Sequence, residues 1–153
     1  MRIIVRKLGE WISTSSTTED DDAAGAQSMV LSAGLTLQDI DWGVGDVNTA
    51  GKSLAGRKLN DVMTELFAVL MGLHPLAPAF EMQRARKGGG SVDWGLKRLN
   101  QSMARSDWQV HPRCFKTIRA YGAWDGGEDD HEHIVDTDRY ALTHIERNLD
   151  TPQ

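Results

Sequence analysis

Acidic side chains in two distant parts of the chain are the residues best suited to do chemistry. Asp46 follows a short apolar run, and Asp136 lies in a late segment that also holds Asp130 and His133. Hard divalent cations such as Mg²⁺ and Mn²⁺ prefer carboxylate oxygens. Two of them about 4 Å apart can activate a water and stabilise the leaving oxygen in phosphodiester cleavage. A metal site on Asp46 and Asp136 is therefore one interpretation, and solvated surface acids are the other.

Two further arrangements offer metal or nucleophilic chemistry. His131, His133 and Asp136 are possible zinc ligands, but the His-Glu-x-x-His pattern and a cysteine pair are both missing from the sequence. Cys114 lies three residues after His111, which is one possible arrangement of a nucleophile and its base, yet a lone cysteine at a helix start is more often a small buried group. Both arrangements stay open as alternatives to the carboxylate site.

Residues 49–53 end in Gly-Lys-Ser, which matches the last three residues of the phosphate-binding loop of a nucleotide hydrolase. That loop requires a glycine five positions before Gly51, where this chain has Asp46. Because an acid there would repel a triphosphate, a tight turn at Gly51 is the favoured interpretation. Lys52 is then a cation available for a nucleic-acid backbone.

A basic, glycine-rich segment precedes a predicted helix at Ser91. It carries Arg84, Arg86 and Lys87 and continues into three glycines at residues 88–90. Cations and free backbone N–H groups close to a helix N-terminus suit a phosphate of a nucleic-acid backbone. A solvated turn explains the same composition equally well.

The periodicity of apolar residues predicts strands that alternate with helices, hence an α/β domain. Strands are expected over residues 3–12, 40–47, 76–82 and 107–110, and an exposed polar and acidic loop over 13–22. Helices are expected over residues 23–33, 55–71 and 131–148, with two more from Ser91 and Pro112. The helix that begins at Pro112 is expected to point Phe115, Ile118 and Tyr121 toward the protein interior.

Composition sets the class of protein. The 153 residues carry a net charge of -5 and are 40% hydrophobic, which predicts one domain over residues 1–153. A lone Cys114, no apolar run near the ~18 residues of a membrane span, and no secretory signal favour a cytoplasmic protein with no membrane partner. The acidic balance argues against a protein that coats nucleic acid indiscriminately.

Four segments, in order, resemble the large subunit of tailed-phage terminases. Residues 131–142, His-Glu-His-Ile-Val-Asp-Thr-Asp-Arg-Tyr-Ala-Leu, resemble a helix near the C-terminus of the terminase large subunit, and that helix carries a metal-binding aspartate. The other segments are Gly-Val-Gly-Asp at 43–46 with Asn-Thr-Ala-Gly at 48–51, Gly-Ser-Val-Asp-Trp-Gly-Leu-Lys-Arg-Leu-Asn at 90–100, and Val-His-Pro-Arg-Cys-Phe-Lys-Thr-Ile at 110–118 with Tyr-Gly-Ala-Trp at 121–124.

The resemblance implies an RNase H-like nuclease domain, with a mixed central sheet flanked by helices, that cuts concatemeric double-stranded viral DNA with two Mg²⁺ or Mn²⁺ ions. Asp46 matches the second acidic position and Asp136 the third, while Asp130 and His133 flank the third and are further metal-ligand candidates. The implied partners are DNA, other terminase subunits and the portal protein, in the host cytoplasm. The DNA-contact candidates are Arg84, Arg86, Lys87, Lys52 and Arg139.

The sequence also departs from that family. The first metal-binding aspartate of the family lies on an early strand, and residues 3–12 hold no aspartate; the ATPase motor is also missing. We therefore expect an N-terminally incomplete nuclease domain. Asp138 replaces an apolar residue and is expected to face solvent or the metals. The alternatives are a non-catalytic remnant that binds DNA or packaging partners, and an unrelated resolvase-type nuclease.

Overall fold

The computed structural model describes residues 2–14, 16–45, 58–85, 91–127 and 130–150. Over these residues the chain is a mixed α/β protein, as the sequence predicted. In chain order the elements are β1 (Val5–Lys7), α1 (Glu19–Ser32), a 3-10 turn (Leu37–Asp39), β2 (Gly43–Gly45), α2 (Leu59–Leu70), β3 (Met82–Arg84), α3 (Ser91–Ala104), β4 (Trp108–Val110), α4 (Phe115–Ala123) and α5 (Asp130–Asp150). Of the described helices, none has both the length and the apolar character that crossing a bilayer requires.

The residues group into two compact units. The middle unit comprises residues 11–84, and the terminal unit comprises residues 1–10 and 85–153. Each unit contains a pair of parallel strands and its own buried apolar cluster. The expectation of a single domain over 1–153 stays a prediction.

The middle unit is built on the pairing of β2 with β3. Gly43 lies opposite Met82, and Gly45 lies opposite Arg84. A Cβ on Gly43 would come within 2.2 Å of the Met82 sulfur, and one on Gly45 within 2.2 Å of the Asn60 amide oxygen. A side chain at either position would therefore force the flexible end of Met82 or Asn60 to move. The core of the unit consists of Ala23, Leu37, Phe67 and Phe80.

Helix α1 begins at Glu19, four residues before the predicted start. Thr18 and Asp21 form a capping box: the Thr18 amide donates to Asp21 Oδ2 at 2.9 Å, and the Asp21 amide donates to Thr18 Oγ1 at 3.3 Å. The acids at 19–22 thus form the first turn of a helix, where the helix dipole favours them, and are not the end of the predicted loop. Gly34 follows the helix end with a positive φ of 79°, a conformation that glycine adopts readily at this position.

The terminal unit pairs β1 with β4, with Val5 opposite Trp108 and Lys7 opposite Val110. Helices α3 and α4 both pack on α5, the longest helix of the unit within the described residues. The buried apolar cluster consists of Leu99, Trp108, Val135 and Leu142. The strand predicted at 107–110 and the helices predicted from 91 and 131 are confirmed within a residue or two.

Two predicted features are wrong at least in part. Of the residues expected to face inward on α4, Tyr121 packs against the apolar cluster, but Phe115 is 65% exposed and Ile118 is 49% exposed, and the helix buries Thr117 and Ala120 instead. Apolar character predicts the inward face here, whereas in the structure the half-buried Glu10 carboxylate binds Thr117 and draws it inside. The strand predicted at 76–82 is also displaced: residues 76–81 are turns and irregular backbone, and β3 begins only at Met82.

Two helical glycines provide a matched test of packing. A Cβ on Gly25 of α1 would lie 2.3 Å from the Trp11 ring, which donates to Asp22 at 3.0 Å, whereas a Cβ on Gly122 of α4 meets nothing within 4 Å. Gly→Ala adds helix propensity at both positions, but only at Gly25 does it also create a close contact, with the Trp11 ring. We expect Gly25→Ala to leave the protein about 1–3 kcal/mol less stable than Gly122→Ala does, as measured by urea unfolding. Equal stabilities would contradict the close Trp11 contact.

Candidate functional site

Helix α5 carries four of the residues that the sequence analysis selected. Asp130 is its first residue and is exposed, and His133 is exposed one turn later. The Asp136 side chain is 28% exposed, while that of Arg139 is only 4% exposed. The structure thus places two of the candidates at the surface and joins the other two to each other.

Asp136 and Arg139 form an ion pair through a single carboxylate oxygen. Both Nε and Nη2 of Arg139 donate to Asp136 Oδ1, at 3.3 and 3.0 Å. Within the described part of the chain, no donor reaches Asp136 Oδ2. One oxygen is therefore held in place, and the other is available to a hard cation or to water.

The Arg139 side chain is fixed by its surroundings as well as by Asp136. Its guanidinium carbon lies 4.4 Å from the centre of the Tyr140 ring, a cation–π distance. Its methylene stem passes Gly95 of α3 so closely that a Cβ there would lie 2.5 Å from Arg139 Cγ. Gly95 thus makes room for the arginine that orients Asp136.

Asp46, Lys52, Arg86 and Lys87 lie outside the described residues. Arg84 is described, exposed, and is the last residue of β3. It lies opposite Gly45, the last residue of β2, so these two strands end side by side. The residue after Gly45 in sequence is Asp46, and the basic segment continues from Arg84.

Possible metal ligands can be located only among the described residues. Among them, no three His, Cys, Asp or Glu side chains are gathered as a metal centre would require. Since His131, His133 and Asp136 are all described, the structure does not assemble the zinc alternative. The two-metal interpretation includes Asp46 and stays a prediction.

Cys114 is a buried group and not an activated nucleophile. It is 0% exposed, and its thiol lies 3.7 Å from the Lys7 carbonyl oxygen. Burial, followed by the nearby Glu10 carboxylate, raises the pKa of the Cys114 thiol, which disfavours the thiolate that a nucleophile needs. The thiol fills a small space beside β1.

Of the two placements expected for Asp138, toward solvent or toward the metals, the structure contradicts the first. Asp138 is 2% exposed, and its Oδ1 accepts a charged hydrogen bond from Lys7 Nζ at 2.6 Å. Its Oδ2 accepts from the Tyr121 hydroxyl, and that hydroxyl oxygen accepts from Trp108 Nε1 at 3.0 Å. Both carboxylate oxygens are therefore engaged, and β1, β4, α4 and α5 meet at one polar network.

Ionisation in this network is controlled mainly by burial. Burial raises the pKa of the Asp138 carboxyl above its ordinary value, and Lys7 acts in the opposite direction. Burial, together with the neighbouring Asp138, also raises the pKa of Tyr121 well above its usual range. Tyr121 thus stays a hydrogen-bond donor at all physiological pH values.

Glu10 is a structural residue that the sequence analysis missed. Its carboxylate accepts from the backbone N–H groups of Lys116 and Thr117, at 2.8 and 3.0 Å, and from the Thr117 hydroxyl at 2.8 Å. The carboxylate thus caps the N-terminus of α4, whose own N-cap residue Cys114 makes no side-chain cap. The two partners are more than a hundred residues apart in sequence, so no local signal could reveal the contact.

The Lys7–Asp138 pair can be tested with a double-mutant cycle. Lys7→Met leaves a buried carboxylate without its cation, and we expect it to lower the free energy of unfolding by about 3–5 kcal/mol. The double variant Lys7→Met/Asp138→Asn should lose less than the sum of the two single changes, because asparagine needs no counter-ion and still accepts from Tyr121. Arg6→Met, at the neighbouring exposed position of β1, is the control and should cost less than about 1 kcal/mol. Additive losses in the cycle would refute the coupling.

The raised pKa of Asp138 sets the sign of a pH dependence. The folded chain binds this proton more tightly than the unfolded chain, so the contribution to stability is full below the ordinary carboxyl value of 3.8. It is lost as the pH rises through the raised value. In urea unfolding over a pH series, the stability of the wild type relative to Asp138→Asn should therefore fall as the pH rises across that window. A relative stability that increases with pH would contradict this assignment.

The site can thus be described by three elements: an aspartate whose Oδ2 meets no donor among the described residues, the arginine that holds its other oxygen, and the buried ion pair of Asp138, two residues further along α5. No protein-family model, curated protein or solved structure matches the chain. The interpretation of the site therefore depends on the chemistry of these residues and on the order of the sequence segments around them.

Proposed function

We propose that this chain is a Mg²⁺- or Mn²⁺-dependent endonuclease module with an RNase H-like fold, similar to the C-terminal nuclease domain of tailed-phage terminase large subunits. Four segments between residues 40 and 145 support the proposal by their order. The mixed α/β class supports it in part; the described strands form two separate parallel pairs, and the mixed central sheet of an RNase H-like fold belongs to the proposal.

Asp136 provides the observation that carries the proposal. It lies within the segment at 131–142, and it is partly exposed with one oxygen fixed by Arg139 and the other open. A ligand that is already oriented loses less conformational freedom when a cation binds. Arg139 would keep the carboxylate in a single rotamer while its own charge stays buried against Tyr140.

The metal ions would be held by Asp46 and Asp136, with Asp130 and His133 as further ligands or as partners of bound water. Hard cations supply a nucleophilic water at neutral pH and stabilise the charge on the leaving oxygen. The basic residues Arg84, Arg86, Lys87 and Lys52 would neutralise backbone phosphates and so position the duplex. Double-stranded DNA is the proposed substrate, and other terminase subunits and the portal protein are the proposed partners.

A non-catalytic DNA-binding module is the second candidate. It is favoured by the Arg139 contact, which already neutralises part of the charge with which Asp136 would attract a cation. The exposed Arg84 at the end of β3 suits a phosphate contact in either case. The two candidates differ in whether metal produces strand cleavage.

Nicking of supercoiled plasmid in Mn²⁺ tests the proposal. We expect Asp136→Asn to lower the nicking rate on the order of 100-fold or more, because the substitution removes the charge that holds the cation. Asp93→Asn is the matched control: Asp93 is an exposed acid on α3 in the same unit, and its removal should leave the rate unchanged.

Binding of Mn²⁺ should be measured on the same variants by calorimetry. Weaker binding in Asp136→Asn with intact binding in Asp93→Asn supports Asp136 as the ligand. If the wild type binds DNA but cuts it with neither Mg²⁺ nor Mn²⁺, the nuclease proposal fails for this chain and the binding module is preferred.

A further inference from the structure

The terminal unit has an open cleft of about 700 Å³ that the proposed nuclease site does not use. It lies between β1, α3 and the C-terminal half of α5. Its size falls within the range of small-molecule and nucleotide sites. The polar residues that line it are Arg2, Arg98, Ser102, Arg105, Asp107 and Glu146.

Two of the three arginines are fixed by carboxylates. Arg98 donates through Nη2 and Nε to the two oxygens of Glu146, at 2.5 and 3.2 Å. Arg2 donates through Nε to Asp107 at 2.5 Å, and through Nη2 to the Arg105 carbonyl oxygen at 2.8 Å. These contacts hold two guanidinium groups at the wall of the cleft in defined positions.

Arg105 is the third arginine of the cleft lining. It is exposed, and among the described residues no acid or hydrogen-bond acceptor binds its guanidinium. Three arginines and two carboxylates leave the lining of the cleft with a surplus of one positive charge. A single anionic group would neutralise that surplus.

We propose that this cleft binds a phosphate ester of a nucleic acid, with Arg105 as the principal contact. A guanidinium presents a planar fork of donors that matches two phosphate oxygens. Arg2, tethered to the Arg105 backbone, and the Ser102 hydroxyl supply further donors on the same wall. The assignment of DNA as the source of the phosphate depends on the proposed function, whereas the phosphate chemistry does not.

The position of the cleft along α5 suits a duplex that also reaches Asp136. Glu146 lies ten residues after Asp136 on the same helix, which corresponds to about 15 Å. That length equals roughly four or five base-pair steps of about 3.4 Å. Along the helix axis, the cleft and Asp136 are therefore close enough for one short duplex to span both.

The direct test is binding of a short fluorescent DNA duplex by the full chain in EDTA, at several salt concentrations. Arg105→Gln should weaken binding by about tenfold and reduce the salt slope by about one phosphate contact, or ~0.9. Arg119→Gln is the matched control, because Arg119 is an exposed arginine on α4 in the same unit and lies outside the cleft. It should change neither quantity.

A second variant should change affinity in the opposite direction. Glu146→Gln removes the carboxylate that occupies Arg98, so the cleft gains positive charge and the duplex should bind several-fold more tightly. Partial unfolding cannot produce tighter binding, so this result would separate electrostatics from damage to the fold. Weaker or unchanged binding in Glu146→Gln would count against the proposal.

The source of the phosphate is distinguished by a parallel titration with deoxyadenosine monophosphate, followed by NMR at the arginine side chains. If Arg105→Gln weakens the duplex more than the mononucleotide, the cleft is a DNA-backbone site; the reverse pattern assigns it to free nucleotides. If Arg105→Gln and Arg119→Gln are indistinguishable with both ligands, the proposal is wrong. DNA nicking is measured separately, with the Asp136 variant. The nuclease proposal can therefore fail while the phosphate-binding cleft is supported, and the reverse is also possible.

Discussion

The buried pair of Lys7 and Asp138 is the interaction on which the terminal unit depends. An ionised carboxylate removed from water requires a cation and satisfied lone pairs, and Asp138 finds these in Lys7 of β1 and Tyr121 of α4. Trp108 of β4 completes the network through the tyrosine oxygen. Each contact constrains direction as well as distance, which apolar packing alone does not do. The hydrogen bonds of Asp138 therefore fix which face of α5 points into the terminal unit.

The rotation of α5 then determines which of its side chains can do chemistry. With Asp138 and Leu142 inside, Arg139 lies in the interface with α3, where Gly95 leaves space for its stem. Asp136, three positions earlier, is left at the boundary with one oxygen tied to that arginine. If α5 were rotated by one residue about its axis, Asp138 would no longer be the acid that lies inside. A polar network in the interior thus positions a partly exposed carboxylate at the surface.

Sequence reasoning succeeded where the signal is local and failed where the partners are distant. The helix predicted over 55–71 and the helix that holds Asp136 follow from the periodicity of apolar residues. The burial of Asp138 does not, because its cation lies 131 residues away. The inward face of α4 was misjudged for the same reason: Glu10 binds its first turn and draws Thr117 inside, while Phe115 stays exposed. The open oxygen of Asp136 also needed coordinates, since spacing alone permits the Arg139 contact without specifying which oxygen it takes.

The acidic composition of the chain raises the question of how it could approach a polyanion. On α5, Asp136 is paired with Arg139, Asp138 with Lys7 and Glu146 with Arg98. Three carboxylates of the helix are thus neutralised within the fold, which lowers the repulsion that a phosphate backbone would meet along it. What remains is uneven: within the described residues, no donor engages Asp136 Oδ2 and no acceptor engages the Arg105 guanidinium. Under both proposals, the local pairing of charge, more than the net value of -5, would decide where this surface attracts a cation and where it attracts a phosphate.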